Sequence, residues 1–104
     1  AEYKKAEAIH KDLSVCTLAN IYFFNSDYAK SIETAKEKIA SVASFDYPNS
    51  ICIEVLARSY LAKKNWVEAK KYLEQYMNIT GAFKDKNIYV MRNRAEFATF
   101  LPSL

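Results

Sequence analysis

The segment LARSYLAKKNWVEAKKYLEQYM, Leu56 to Met77, decides the fold, because it repeats the punctuation of LANIYFFNSDYAKSIETAKEKI, which begins thirty-eight residues earlier at Leu18. In that register Leu18 aligns with Leu56, Ala19 with Ala57, Tyr22 with Tyr60, Phe23 with Leu61, Tyr28 with Trp66 and Ala35 with Leu73. The same offset pairs Asp27 with Asn65, Ser31 with Ala69 and Ile39 with Met77, and upstream Leu13 with Ile51 and Val15 with Ile53. A repeat of this period implies paired elements that bury their apolar faces by stacking on their neighbours.

Within each copy the apolar spacing is helical. Leu18 and Tyr22 lead to the polar break NSD, where Ser26 or Asp27 can cap a following helix, and Asn65 takes that place in the second copy. The second helices then carry Tyr28, Ile32, Ala35 and Ile39 on one face, and Trp66, Ala69, Leu73 and Met77 on the equivalent face, spaced by three and four. Each copy is therefore expected to be a helical hairpin. Asp46 to Ser50 reads as the loop between hairpins, with Pro48 ending one helix and preceding the next. Gly81 is placed to stop a helix in the left-handed conformation, and DKNIYVMRNRAEFATFL reads as one more helix, with Tyr89, Val90, Phe97 and Leu101 for packing and Pro102 ending it.

Composition agrees with an all-helical chain. One glycine and two prolines in 104 residues leave little to build hairpin turns, while eight Tyr and six Phe supply bulk for a small core. The net charge of +3 comes from 15 basic residues interleaved with 12 acidic ones, a balance that does not point to a polyanion. The most basic part, with Lys84, Lys86, Arg92 and Arg94 against Asp85, reads as a solvated helix face rather than a nucleic-acid patch. No apolar run approaches the roughly 18 residues that cross a bilayer, so membrane insertion is not expected and the chain reads as soluble. It begins at Ala1 without a methionine or signal peptide and is expected to be an excised domain or a processed product.

Catalysis is not expected. The one histidine, His10, lies in a lysine-rich helical pattern with no second histidine, and it does not share a helix face with Cys16 six residues on. One glycine cannot make a phosphate-binding loop. No cofactor and no metal are implied. Cys16 and Cys52 lack metal or redox-motif spacing and read as small buried hydrophobes in a reducing compartment, with a single disulfide between neighbouring helices left open. Asn78 to Thr80, NIT, fits a glycosylation acceptor but reads as a helix-ending turn. An intracellular site is favoured over an extracellular one.

At this point the residues resemble a known family, the tetratricopeptide repeat. Its pattern of large apolar, small, aromatic, then after a turn aromatic, small and bulky apolar reads Leu18, Ala19, Tyr22, Tyr28, Ser31, Ala35 in one copy and Leu56, Ala57, Tyr60, Trp66, Ala69, Leu73 in the other. Small residues let helix backbones approach and aromatics fill the wedge beside them. This chain departs from the pattern in several places. The turn glycine is Ser26 and Lys64, the late small residue of the second helix is Lys38 and Tyr76, and the period exceeds the family's usual length of about 34 residues by about four. The resemblance implies a right-handed stack of antiparallel helical hairpins with about five to six helices: an N-terminal helical extension over residues 1–11, continuous with the first repeat at 12–45, a second repeat at 50–79, and a capping helix at 84–101.

The resemblance also implies a function, that of a protein-interaction module acting as an adaptor or scaffold, cut from a larger array. In such stacks the first helices of the hairpins line a concave groove for a partner's peptide or helix. Carried over position by position, the groove residues are Leu13, Cys16, Asn20, Phe23 and Phe24 from the first copy and Ile51, Glu54, Arg58, Leu61 and Ala62 from the second. The Asn20 amide suits a ligand main chain, and the Arg58 guanidinium suits a carboxylate. The clamp that binds chaperone C-termini needs a lysine where Cys16 stands and an asparagine where Val55 stands, so that activity is not expected. Two alternatives remain, self-association through Phe23, Phe24 and the aromatic-rich ends, and, more remotely, nucleic-acid binding through Lys84, Lys86, Arg92 and Arg94.

Overall fold

The computed structural model describes residues 14–41 and 47–104. The expected N-terminal extension and Leu13 lie outside them. The described residues are all-helical: α1 (Val15–Phe24), α2 (Tyr28–Ile39), α3 (Tyr47–Ala62), α4 (Trp66–Thr80) and α5 (Ile88–Phe100), with short 3-10 turns at Lys84–Lys86 and Leu101–Ser103.

Side-chain caps set four of the five starts. Ser14 is extended and accepts from the Thr17 N–H, so α1 begins at Val15. Asp27 accepts from the Lys30 N–H and Asn65 from the Glu68 N–H, while Asn87 takes both the Tyr89 and Val90 N–H groups. Of the expected loop at 46–50, Tyr47 to Ser50 belong to α3 instead, and Asp46 lies outside the described residues. Pro48 sits in its first turn, where a missing N–H leaves no hydrogen bond broken.

The two hairpin turns are copies of each other. In the first, the Ser26 N–H donates to the Phe23 carbonyl (2.9 Å) and the Asp27 N–H to the Tyr22 carbonyl (2.9 Å). In the second, the Lys64 N–H donates to Leu61 (3.0 Å) and the Asn65 N–H to Tyr60 (2.9 Å). This is the Schellman closure of a helix end, which requires a left-handed residue just past the helix. Ser26 (φ 62°) and Lys64 (φ 59°) occupy that place. Gly81, expected to be the left-handed stop, is right-handed instead at φ −55°. Left-handed backbone costs an L-residue about 1–2 kcal/mol, of which glycine's extra unfolded-state freedom returns part. Ser26→Gly and Lys64→Gly are each expected to stabilise the domain by about 0.5–1 kcal/mol in denaturant unfolding.

Packing follows the pairing of elements. α1 packs on α2 and α3, α2 on α3, and α3 on α4. α3 is central and is buried nearly all round, with Ser50, Cys52, Ile53, Val55, Leu56, Ala57, Ser59 and Tyr60 inside. The small residues Ala19, Ser31, Ala35, Ala57 and Ala69 are all fully buried, as close helix approach requires. Where α2 crosses α3, Ser31 and Ser59 share a buried hydrogen bond of 2.8 Å, and the Ser31 hydroxyl lies 2.9 Å from the Tyr28 carbonyl. Tyr60 and Tyr72 stack in parallel across the second hairpin, 5.8 Å apart. α5 meets the stack differently, through bulky groups: Tyr76 and Phe97, both buried, lie edge to face at 5.2 Å and hold the backbones apart. Val90 is buried as expected, whereas Tyr89 is 59% exposed and Trp66 50% exposed.

Candidate functional site

The first helices of the hairpins, α1 and α3, together with α5, enclose a cleft of about 340 Å³. Its lining is Asn20, Phe23 and Phe24 from α1, Glu54 and Arg58 from α3, and Tyr89, Arg92 and Asn93 from α5. The helical spacing accounts for this grouping. Asn20 and Phe23 lie three apart, Glu54 and Arg58 four apart, and Tyr89 and Asn93 four apart, so each helix turns one stripe to the cleft. Phe23 is half-buried and packs edge-on to Phe24 (5.8 Å) and tilted on Tyr28 (5.6 Å), while Phe24 stands 74% exposed at the rim.

The guanidinium of Arg58 is the centre of the polar network. Its Nε donates to Glu54 Oε2 (3.0 Å), Nη1 to Glu96 Oε1 (2.7 Å), and Nη2 to Asn93 Oδ1 (3.0 Å) and Glu96 Oε2 (3.3 Å). Its Cζ lies over the Phe97 ring, 5.0 Å from the ring centre. Asn93 in turn donates through Nδ2 to the Tyr76 hydroxyl (3.1 Å). The carboxylate expected for Arg58 is thus an internal one, and the cation ties α5 to α3. Burial works against its charge, but the hydrogen bonds it donates to Glu96 and Glu54 prevail and hold its pKa above the ordinary value.

The hydrogen bond from Arg58 lowers the pKa of Glu96, against a smaller opposing effect of burial, and the charges of Arg58 and Arg92 lower it further. A carboxyl depressed in the native state stabilises above its unfolded pKa, and the contribution is lost as the pH falls through the native value. The stability gap between the parent and Glu96→Gln is therefore expected to be widest at neutral pH and to close in acid. It stays below about 1 kcal/mol, because the Glu96 side chain is 45% exposed. Urea unfolding of both proteins across the acid range measures it.

The structure separates the remaining expected groove residues. Cys16 is buried and bonded to Cys52, which removes it from contact with a ligand and replaces the two free thiols that the sequence favoured. Ile51 is half-buried against the core and Ala62 is exposed, and neither lines the cleft. Leu61 opens onto a different cavity of about 630 Å³ with Trp66, Phe100, Ser103 and Leu104. Three cleft residues, Tyr89, Arg92 and Asn93, were not anticipated there. Their spacing on one helix face was a usable signal, but the placement of that helix was not.

Arg94, counted in the basic segment, caps the end of α4 through the Met77 carbonyl and the Thr80 hydroxyl, a position its charge favours. Among the described residues no three His, Cys, Asp or Glu side chains converge to hold a metal ion, and no helix is long and apolar enough to cross a membrane. In comparisons with protein-family models, curated proteins and solved structures, nothing matches this chain.

Proposed function

We propose that this chain is a protein-interaction module, an adaptor or scaffold within a larger assembly, whose hairpins form a right-handed stack of the tetratricopeptide kind. The two copies of one turn, thirty-eight residues apart at Ser26 and Lys64, support the repeat reading together with the buried small residues at the helix crossings. The observation that carries the function is the cleft between α1, α3 and α5. It sets the exposed rings of Phe24 and Tyr89 beside the Asn20 amide, so an apolar side chain and a main chain can be gripped together. Its occupant on this reading is a peptide segment or helix of a partner protein.

Arg58 is a poor probe of that reading, because its removal breaks the tie to α5. A Phe24→Ala, Tyr89→Ala double variant is the appropriate one, since both side chains are mostly exposed. It is expected to keep the parent's circular dichroism and to lose a partner that the parent captures from its native source. Retention of that partner by the folded double variant would place the binding surface elsewhere.

One observation favours self-association as a second reading. Phe24, Ile88, Tyr89 and Met91 are all more than half exposed, which is apolar surface that a second copy would cover. Sedimentation over a wide concentration range separates the two: a mass that doubles with concentration in the parent and stays single in the double variant assigns the surface to a second copy.

A further inference from the structure

α1 carries no charged side chain, and its buried residues are Cys16, Ala19 and Tyr22. It packs on α2 and α3, and a covalent bond, the disulfide between Cys16 and Cys52, joins it to α3. Cys16 stands one helical turn before Asn20 and two before Phe23 and Phe24, so the bond is anchored just behind the wall that these residues give to the cleft. The other sulfur belongs to α3, which supplies Glu54 and Arg58 to the facing wall. Both cysteines are buried, at 1% and 0% exposure. A cross-link so placed is out of reach of thiols in solution while α1 is docked, which marks it as structural rather than catalytic.

We propose that the Cys16–Cys52 disulfide is the tether that keeps α1 docked, so that the cleft exists only in the oxidised chain. The bond closes a loop over a sequence separation of 36 and denies α1 most of the freedom it would otherwise gain by leaving. Among the described residues α1 lies at one edge of the stack, and without the bond it opens before the second hairpin, whose α3 and α4 pack on each other. Such a bond persists in an oxidising compartment, not in the reducing one that the sequence favoured.

Reduction is by a dithiol. One of its thiolates attacks a cysteine sulfur and breaks the S–S bond to give a mixed disulfide. Its second thiol then closes a cyclic disulfide, so two electrons and two protons pass to the protein, which is left with two thiols. The test uses the 104-residue chain, refolded either in air or, after reduction in denaturant, with dithiothreitol present. Alkylation with mass analysis counts thiols, and amide hydrogen exchange reads each helix. The air-refolded chain is expected to have no free thiol. In the reduced chain the amides of Val15–Phe24 are expected to lose protection at least tenfold more than those of Trp66–Thr80. A Cys16→Ala, Cys52→Ala variant is expected to reproduce that pattern without reductant. Two alkylatable cysteines after refolding in air would overturn the proposal. So would an equal loss in both helices, including complete unfolding of the reduced chain, since the bond would then hold the domain and not the wall. The measurement is made on the free chain and stands apart from peptide binding.

Discussion

Phe97→Ala is expected to destabilise the domain by about 3–5 kcal/mol, the range for deleting a large buried ring. Phe97 is fully buried, meets the Tyr76 ring edge to face at 5.2 Å, and lies beneath the Arg58 guanidinium at 5.0 Å. Its removal leaves a cavity, strips the cation of its aromatic face and takes from α5 one of its two buried side chains, the other being Val90. Guanidinium unfolding followed by circular dichroism gives the magnitude. Exchange should show α5 opening first, and Phe97→Leu should recover most of the loss. A change below about 1 kcal/mol would mean that α5 contributes little to the stack.

Ser31→Leu is the second large effect, at about 3 kcal/mol, and it has two separable parts. The leucine overfills a contact where Ser31 and Ser59 both have no exposure, which costs about 1–3 kcal/mol. It also removes the 2.8 Å partner of the Ser59 hydroxyl, and an unsatisfied buried hydroxyl costs about 1–3 kcal/mol. Ser31→Ala isolates the second part and is expected to fall near 1 kcal/mol. Equal losses for the two variants would show that α2 and α3 have room to spare at their crossing.

The hairpins were legible in the sequence because their signals are local. Leu18 to Met77 carries its spacing, caps and turns within a few residues of each helix end, and Asp27 and Asn65 cap the helices that they precede. Two local rules misled. Proline was read as a boundary, yet in the first turn of α3 Pro48 breaks no hydrogen bond. Glycine was read as the left-handed stop, yet the Schellman bonds at Ser26 and Lys64 impose that conformation on residues that do not favour it.

On α1 and α3 the cleft is lined by Asn20, Phe23, Phe24, Glu54 and Arg58, five of the ten positions that the family resemblance implied for a groove. Its third wall depends on how the Tyr76 and Phe97 rings seat α5, and on partners of Arg58 that lie thirty-five and thirty-eight residues away. No short-range pattern encodes such pairings. The pairing of Cys16 with Cys52 has the same character, since it follows from α1 lying against α3.

That covalent bond also changes how the chain would answer to force. Pulled from its two ends, the chain cannot pay out the segment between Cys16 and Cys52, whose separation of 36 residues corresponds to roughly 120 Å of extended length. The first hairpin and the start of α3 would travel as one knot of fixed reach, and the rest of α3, α4, α5 and the segment before Cys16 would lengthen. Under tension, the half of the molecule that gives way is the half holding α5, and with it Tyr89 and Arg92.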